Sequence, residues 1–132
     1  MFYPDGQESI KRSVTLPHDA MLERARVPKL KSGSFTGFYP SGDCWYVKEF
    51  FAEESLRVQT VILEFESVYM DSTVWLNGEK IGGRVYGYSN FYVDLTDKIK
   101  IGQNNEIRVF AHCSQVPNAR WYPGNGIYRP VY

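Results

Sequence analysis

Four side chains with recognition chemistry crowd into five positions near the end of the sequence. They are Asn118, Arg120, Trp121 and Tyr122, within NARWYPGNGIYRPVY at 118–132. Planar rings beside Asn and Arg suit sugar recognition: a ring covers the C–H face of a pyranose while fork-like donors take its hydroxyls. The competing assignment makes Trp121 a core plug and Arg120 one half of a surface ion pair. Pattern alone leaves both open. Gly124 and Gly126 follow, and would let the segment bend sharply.

Other residues invite chemistry and carry less of it. Glu64 and Glu66 lie two apart in a strand-like run, which would place their carboxylates roughly 7 Å apart on one face. That is near the separation of an inverting glycosidase pair, but alternate acids opposite an apolar face also describe a solvated sheet surface, the reading preferred here. His18 and Asp19 are adjacent in LPHDA (16–20), and adjacent side chains of an extended segment point opposite ways, so they are expected not to form a dyad. His18 is expected to pack or hydrogen-bond, and His112 to alternate with core positions. Ser41 and Ser72 have no base partner at an informative spacing. SGSFTGF (32–38) leads into no helix and no Lys-Ser/Thr, so it is not a phosphate cradle. Cys44 and Cys113 are the only cysteines and the only histidines lie far apart, too few for a disulfide scaffold or a zinc site. A Cys44–Cys113 bridge stays possible, and with it the compartment stays open. Neither a metal nor a cofactor is expected.

The elements that must position these residues are strands. CWYVKEFF (44–51), RVQTVILEFE (57–66), SNFYVDLT (89–96) and NNEIRVFAHCS (104–114) alternate with a period of two. Val61, Leu63 and Phe65 share one face of the second run. Ile107, Val109 and Ala111 share the core face of the last, with Arg108, Phe110 and His112 on its reverse. YMDSTVWLNGEKIGG (69–83) reads as two strands joined by an Asn77–Gly78 hairpin turn. GIYRPVY (126–132) starts a final strand, and Pro130 places it at an edge or a boundary. DLTDKIKIG (94–102) could form one helical turn with Thr96 as its N-cap. Residues 24–42 make a long loop with Pro28 and Pro40. The fold expected is all-β, an antiparallel sandwich in a single domain spanning residues 1–132.

Composition agrees with one globular domain. The chain has 132 residues, 43% of them apolar, which suffices for one core and leaves no room for a second. Fifteen basic residues balance fifteen acidic ones, so no net field would attract nucleic acid or an anionic membrane. No apolar run approaches the roughly 18 residues of a membrane span, and MFYPDGQESI has neither the basic nor the apolar region of a signal peptide. The aromatic share of 16%, with 10 Tyr, is high, and tyrosine suits half-wet contact surfaces.

Four stretches resemble the N-terminal, sugar-binding jelly-roll domain of family 2 glycoside hydrolases: LPHDA (16–20), WYVKEF (45–50), LEFESVYMDSTVWLNGEKIGGRVYGYSNFYVDLT (63–96) and NARWYPGNGIYRPV (118–131). The third follows the family's ordered spacing of V-Y, V-W-x-N-G, G-Y and D-L-T, and the match runs over nearly the whole chain. LPHD and RWYPGNGIYRPV are most similar to the β-galactosidase branch. The resemblance implies a galactose-binding-like jelly roll, followed in the family by an immunoglobulin-like sandwich and a TIM barrel. The barrel carries the acid/base and nucleophile glutamates of a retaining reaction, so none is implied in this chain. Its partners would be a β-galactoside or related oligosaccharide and the parent enzyme's own catalytic domain. By position, Asn118 and Arg120 resemble the residues this domain lends to the glycone pocket, with Trp121 and Tyr122 beside them and residues 36–43 approaching it. The alternative is a free-standing carbohydrate-binding module that holds sugar unaided.

Overall fold

A computed structural model describes residues 1–30, 37–114 and 124–132. Seven strands build it: β1 Phe2–Pro4, β2 Cys44–Phe51, β3 Ile62–Phe65, β4 Ser72–Leu76, β5 Glu79–Arg84, β6 Phe91–Asp94 and β7 Asn104–Ala111. They form a five-stranded sheet in the order β1-β2-β7-β4-β5, facing a smaller sheet of β3 and β6. All the pairings are antiparallel. Among the described residues there is no α-helix, only 3-10 turns at Glu8–Ile10 and Glu54–Val58. This is the antiparallel sandwich that the alternating runs predict, and it agrees with the jelly roll that the resemblance implies.

The alternation reports the core faithfully. Along β7, Asn105, Ile107, Val109 and Ala111 are buried while Glu106, Arg108 and Phe110 are half-exposed. Tyr46, Val74, Leu76 and Val109 of the large sheet meet Phe65, Phe91 and Val93 of the small one. Phe65 and Phe91 are cross-strand partners whose rings stack at 4.7 Å with 8° between their planes, an arrangement that adds ring contact to the burial of each side chain.

The hairpin forms as expected. Asn77 (φ 51°) and Gly78 (φ 85°) both adopt the left-handed conformation that a type I′ turn requires. Asn77 also explains itself chemically: its Nδ2 donates to Asn105 Oδ1 at 2.8 Å and its Oδ1 accepts from Glu106 N at 3.0 Å. The buried Asn105 in turn donates to the carbonyls of Lys100 and Gln103. One end of the sandwich is thus closed by side-chain amides that satisfy the backbone around them.

Two local expectations are corrected. The run 57–66 is not one strand: Glu54–Val58 is a 3-10 turn held by a bidentate Arg57–Glu54 contact, and β3 begins only at Ile62. Alternation misleads there because Val58, 92% exposed, has no partner strand to pack against. The turn after β6 opens at Leu95, whose carbonyl accepts from Lys98 N and Ile99 N, so Thr96 lies inside the turn and is not its N-cap. Asp94 Oδ1 accepts from Thr96 N at 2.9 Å, while Thr96 Oγ1 accepts from Val61 N at 3.0 Å and tethers the entry to β3.

The C-terminal tail lies along the free edge of β3. Tyr132 and Glu64 exchange backbone hydrogen bonds of 3.0 and 2.9 Å, and Glu66 N donates to Pro130 O at 3.1 Å. Proline has no N–H to offer, so it can sit there only as an acceptor, in keeping with its predicted edge position.

Candidate functional site

Strand register determines which loops meet. Cys44 opposes Ala111, Ala111 opposes Ser72, and Ser72 opposes Arg84. The loops that precede β2 and β4 and those that follow β7 and β5 therefore emerge together, at the end of the sandwich away from the Asn77–Gly78 turn. Residues 37–43, which lead into β2, and His112–Ser114, which follow β7, belong to this end.

Asn118, Arg120, Trp121 and Tyr122 themselves lie outside the described residues. Their two flanks do not. On one side, Asp43 Oδ1 accepts from Ser114 N at 2.8 Å while its Oδ2 accepts from His112 Nδ1 at 2.8 Å. A carboxylate cannot donate to the ring, so His112 carries its proton on Nδ1. On the other side, Asp19 Oδ1 accepts from both Asn125 N (3.1 Å) and Met21 N (2.9 Å). Ala20 N donates to Asn125 O and His18 N to Ile127 O, so LPHDA and Asn125–Ile127 run bonded side by side. Gly126 and Tyr69 exchange a further pair of backbone bonds at 2.8 and 3.0 Å. Two aspartates with little else in common thus fasten the feet of the segment 115–123.

His18 and Asp19 point apart, as adjacent extended residues should, and their partners differ entirely. His18 Nε2 meets Glu23 Oε1 at 3.0 Å and its Nδ1 meets the Tyr46 hydroxyl at 2.8 Å. Glu23 can only accept, so Nε2 bears the proton of the neutral ring and Tyr46 donates to Nδ1. Glu23 is shared with Arg12, which forms an ion pair with it. Burial, and then the Arg12 charge, lower the pKa of His18 below its usual 6.5. The sign follows. The unfolded chain takes up a proton near pH 6.5 that the folded ring resists, so the stabilisation is complete above that pH and declines as pH falls through it. The melting temperature is expected to fall more between pH 7.5 and 5.5 in the native protein than in His18→Gln. Equal falls in the two proteins would remove His18 as the cause.

Cys44 and Cys113 are free thiols, both buried. The neighbouring Cys113 thiol, and then burial, push the Cys44 thiol up, so it stays protonated. Cys113 Sγ also donates to Tyr69 O at 2.9 Å, so these residues act as small core groups beneath the loop end.

The flank of the long loop is equally fixed. Arg24 donates to Ser41 O at 3.0 Å, Val27 N donates to Phe38 O at 2.7 Å, and the Arg26 guanidinium lies 4.9 Å from the Tyr39 ring centroid. Residues 37–43 thus join the same loop end as the feet of the 115–123 segment.

The carboxylates of this frame are committed to backbone amides and a histidine, which is positioning chemistry. Glu64 and Glu66 lie elsewhere, on and just beyond β3, where Glu64 accepts from Asn90 Nδ2 at 3.2 Å. Ser72 is buried and bonds to the backbone of Arg84. Sequence reasoning missed Asp19 and Asp43 as anchors. It also missed a tyrosine cluster here: Tyr69 and Tyr88 pack edge to face at 5.4 Å, and Tyr86 and Tyr88 at 5.7 Å. The only available signal was the density of tyrosine in YMDSTVWLNGEKIGGRVYGY (69–88). Burial, and next the neighbouring Tyr88, push the Tyr69 phenol up to about 12, so its hydroxyl stays protonated.

Comparison with known proteins identifies the architecture. Residues 36–120 match the glycosyl hydrolase 2 galactose-binding domain-like family. A β-galactosidase of Bacteroides ovatus is 39% identical over 121 residues, covering 92% of this chain and 14% of that protein. A β-glucuronidase of Formosa agariphila is 32% identical over 103 residues, covering 69% of this chain and 10% of that protein. The crystal structure of a β-glycosidase from Bacteroides vulgatus superposes with a TM-score of 0.84 at 39% identity, over 92% of this chain and 16% of that one. The chain therefore spans a small fraction of the length of the relatives it matches. Sandwich, sequence and spacing agree: the chain belongs to the galactose-binding-like domain family of family 2 glycoside hydrolases.

Proposed function

We propose that this chain is the non-catalytic N-terminal domain of a retaining, β-galactosidase-like hydrolase. It shapes the rim of the substrate pocket and packs on a separate catalytic barrel. In this reading Asn118 and Arg120 hydrogen-bond the hydroxyls of a β-galactoside, with Trp121 and Tyr122 bracing or covering the sugar. The observation that supports it is the pair of fastened feet: Asp43 holds Ser114 and Asp19 holds Asn125, so the described residues that flank Asn118 and Arg120 on both sides are anchored to the sandwich. A pocket rim needs such support, because a binding group misplaced by about 1 Å loses much of its effect. The branch follows the β-galactosidase relative and the LPHD and RWYPGNGIYRPV stretches.

A retaining glycosidase needs one carboxyl to protonate the leaving group and another to capture the oxocarbenium centre. In this proposal both belong to the catalytic barrel. The purified 132-residue chain is therefore expected to hydrolyse no nitrophenyl glycoside above background, while the complete enzyme hydrolyses nitrophenyl β-galactoside. Turnover that follows this chain through purification and disappears in Glu64→Gln or Glu66→Gln would place the chemistry here instead.

A further inference from the structure

The outer face of the five-stranded sheet carries a chain of rings that the core does not use. Register places Trp45, Phe110 and Thr73 in one row across β2, β7 and β4, and Arg108 and Trp75 in the next. Their strand neighbours Cys44, Tyr46, Val74, Val109 and Ala111 are buried in the core, so these side chains face outward. The indoles of Trp45 and Trp75 reach toward each other across β7, with ring centroids 5.2 Å apart. Trp45 lies 4.8 Å from Phe110, and Phe110 lies 6.1 Å from His112. All four rings are half-exposed. The chain of rings therefore runs unbroken from the sheet face to His112, two residues before the Ser114 foot. Four residues of strand separate the His112 and Trp75 rows, about 14 Å, which is too long for a single sugar.

The rings are also held in place. Trp45 Nε1 donates to Asp5 Oδ1 at 2.8 Å, and the buried Tyr3 stacks against Trp45 at 6.4 Å. A ring fixed in advance loses little conformational entropy on binding. The polar groups beside the rings select the ligand. Arg108, on the central strand, makes a bidentate contact with Glu106 at 2.6 and 3.2 Å, and His112 bonds Asp43. The charges nearest the rings are thus engaged within the face, which favours a neutral ligand. The centre of a protein–protein contact is depleted of charge, whereas here an ion pair stands beside the indoles. A neutral pyranose matches both parts: its C–H face covers a ring while its hydroxyls reach the flanking carboxylate and guanidinium. The tilts of 37° between the indoles and 48° between Trp45 and Phe110 suit a chain of sugars whose ring planes turn from unit to unit.

We propose that Trp75, Trp45 and Phe110 form a binding face for a neutral oligosaccharide, continuing beyond the sugar unit assigned above to Asn118 and Arg120. Trp45 and Trp75 cover the C–H faces of successive pyranoses, and Arg108 and Glu106 exchange hydrogen bonds with their hydroxyls. The proposal deepens the carbohydrate reading above and rests on it for the class of ligand. It adds that the substrate is a chain of several neutral sugars.

The test titrates the isotope-labelled 132-residue protein with galactose and with a neutral β-galacto-tetrasaccharide, and follows the indole N–H resonances by NMR. Trp45→Phe, Trp75→Phe and Trp121→Phe assign the three tryptophan peaks. The tetrasaccharide is expected to shift the Trp45 and Trp75 peaks saturably, with a Kd on the order of 1 mM, and galactose to bind about tenfold more weakly. Trp75→Ala is expected to weaken tetrasaccharide binding about three- to tenfold, the effect of losing one ring contact. No saturable shift, shifts confined to Trp121, or equal affinity for the two sugars would overturn the proposal. The peaks of the native protein give that answer even where Trp75→Ala fails to fold. In the complete enzyme, Trp75→Ala is expected to lower kcat/KM on the tetrasaccharide about three- to tenfold more than on nitrophenyl β-galactoside. An equal loss on both substrates with a lower Tm would show that the rings dock another domain, and would also overturn it. The two readings fail separately: a complete enzyme that hydrolyses neither substrate refutes the hydrolase assignment, whereas the titration reads the face by itself.

Discussion

Gly126→Ala is expected to destabilise the protein by about 2–5 kcal/mol, with a fall in Tm of roughly 10 °C. Two costs combine. Gly126 has φ 83°, where a side chain is strained by about 1–2 kcal/mol. An added Cβ would also lie 2.1 Å from the Tyr46 hydroxyl oxygen and 2.9 Å from two of its ring carbons. Neither side can yield cheaply. Tyr46 is buried, packs against Phe2 at 5.3 Å and gives its hydroxyl to His18, while the Gly126 backbone is bonded both ways to Tyr69. Gly78→Ala is the matched control. Its φ is 85°, but nothing lies within 4 Å of the added Cβ, so about 1 kcal/mol is expected. Adding Tyr46→Phe to Gly126→Ala removes the closest oxygen and should recover part of the loss. Strict additivity of the two changes in denaturant unfolding would show that the clash is not the cause.

This glycine also marks where sequence reading stops. The Asn77–Gly78 turn was legible because two residues with left-handed backbone between alternating runs have few other uses. Ile107, Val109 and Ala111 were legible because a half-buried strand repeats every two residues, and Pro130 because a residue without N–H cannot sit inside a sheet. Each is a local rule. The frame of the candidate site is not local: Asp19 holds Asn125 across 106 positions and Asp43 holds Ser114 across 71. An aspartate before a strand looks the same whether it faces solvent or fastens a distant loop. The 57–66 run misled for the related reason that alternation does not reveal whether a partner strand exists. Thr96 looks like a cap because threonine is a good cap former, and the sequence does not show that its hydroxyl instead accepts from Val61 N. Asn118, Arg120, Trp121 and Tyr122 came from side-chain chemistry and from resemblance, and their surroundings rest on the fastened flanks alone.

The second large effect is expected at Arg120 in the complete enzyme. A guanidinium at a pocket rim can donate two hydrogen bonds to adjacent sugar hydroxyls, and charged donors contribute roughly 1.5–3 kcal/mol each when water is excluded. Those hydroxyls are present in ground state and transition state alike, so removing the contact should act mainly through KM. Kcat falls too only if the bond tightens as the ring flattens. Arg120→Ala is expected to lower kcat/KM for nitrophenyl β-galactoside by roughly 10- to 100-fold, equivalent to about 1.4–2.8 kcal/mol. The same change should leave the Tm of the 132-residue chain nearly unmoved, because a rim arginine supports no core. The opposing account places Arg120 in an ion pair within the sandwich, and it expects the reverse pattern. Kinetics and melting of this one variant therefore test most directly whether the domain serves a sugar pocket: a large loss of kcat/KM with an unchanged Tm is the predicted result, and normal kinetics with a clear loss of Tm would contradict it.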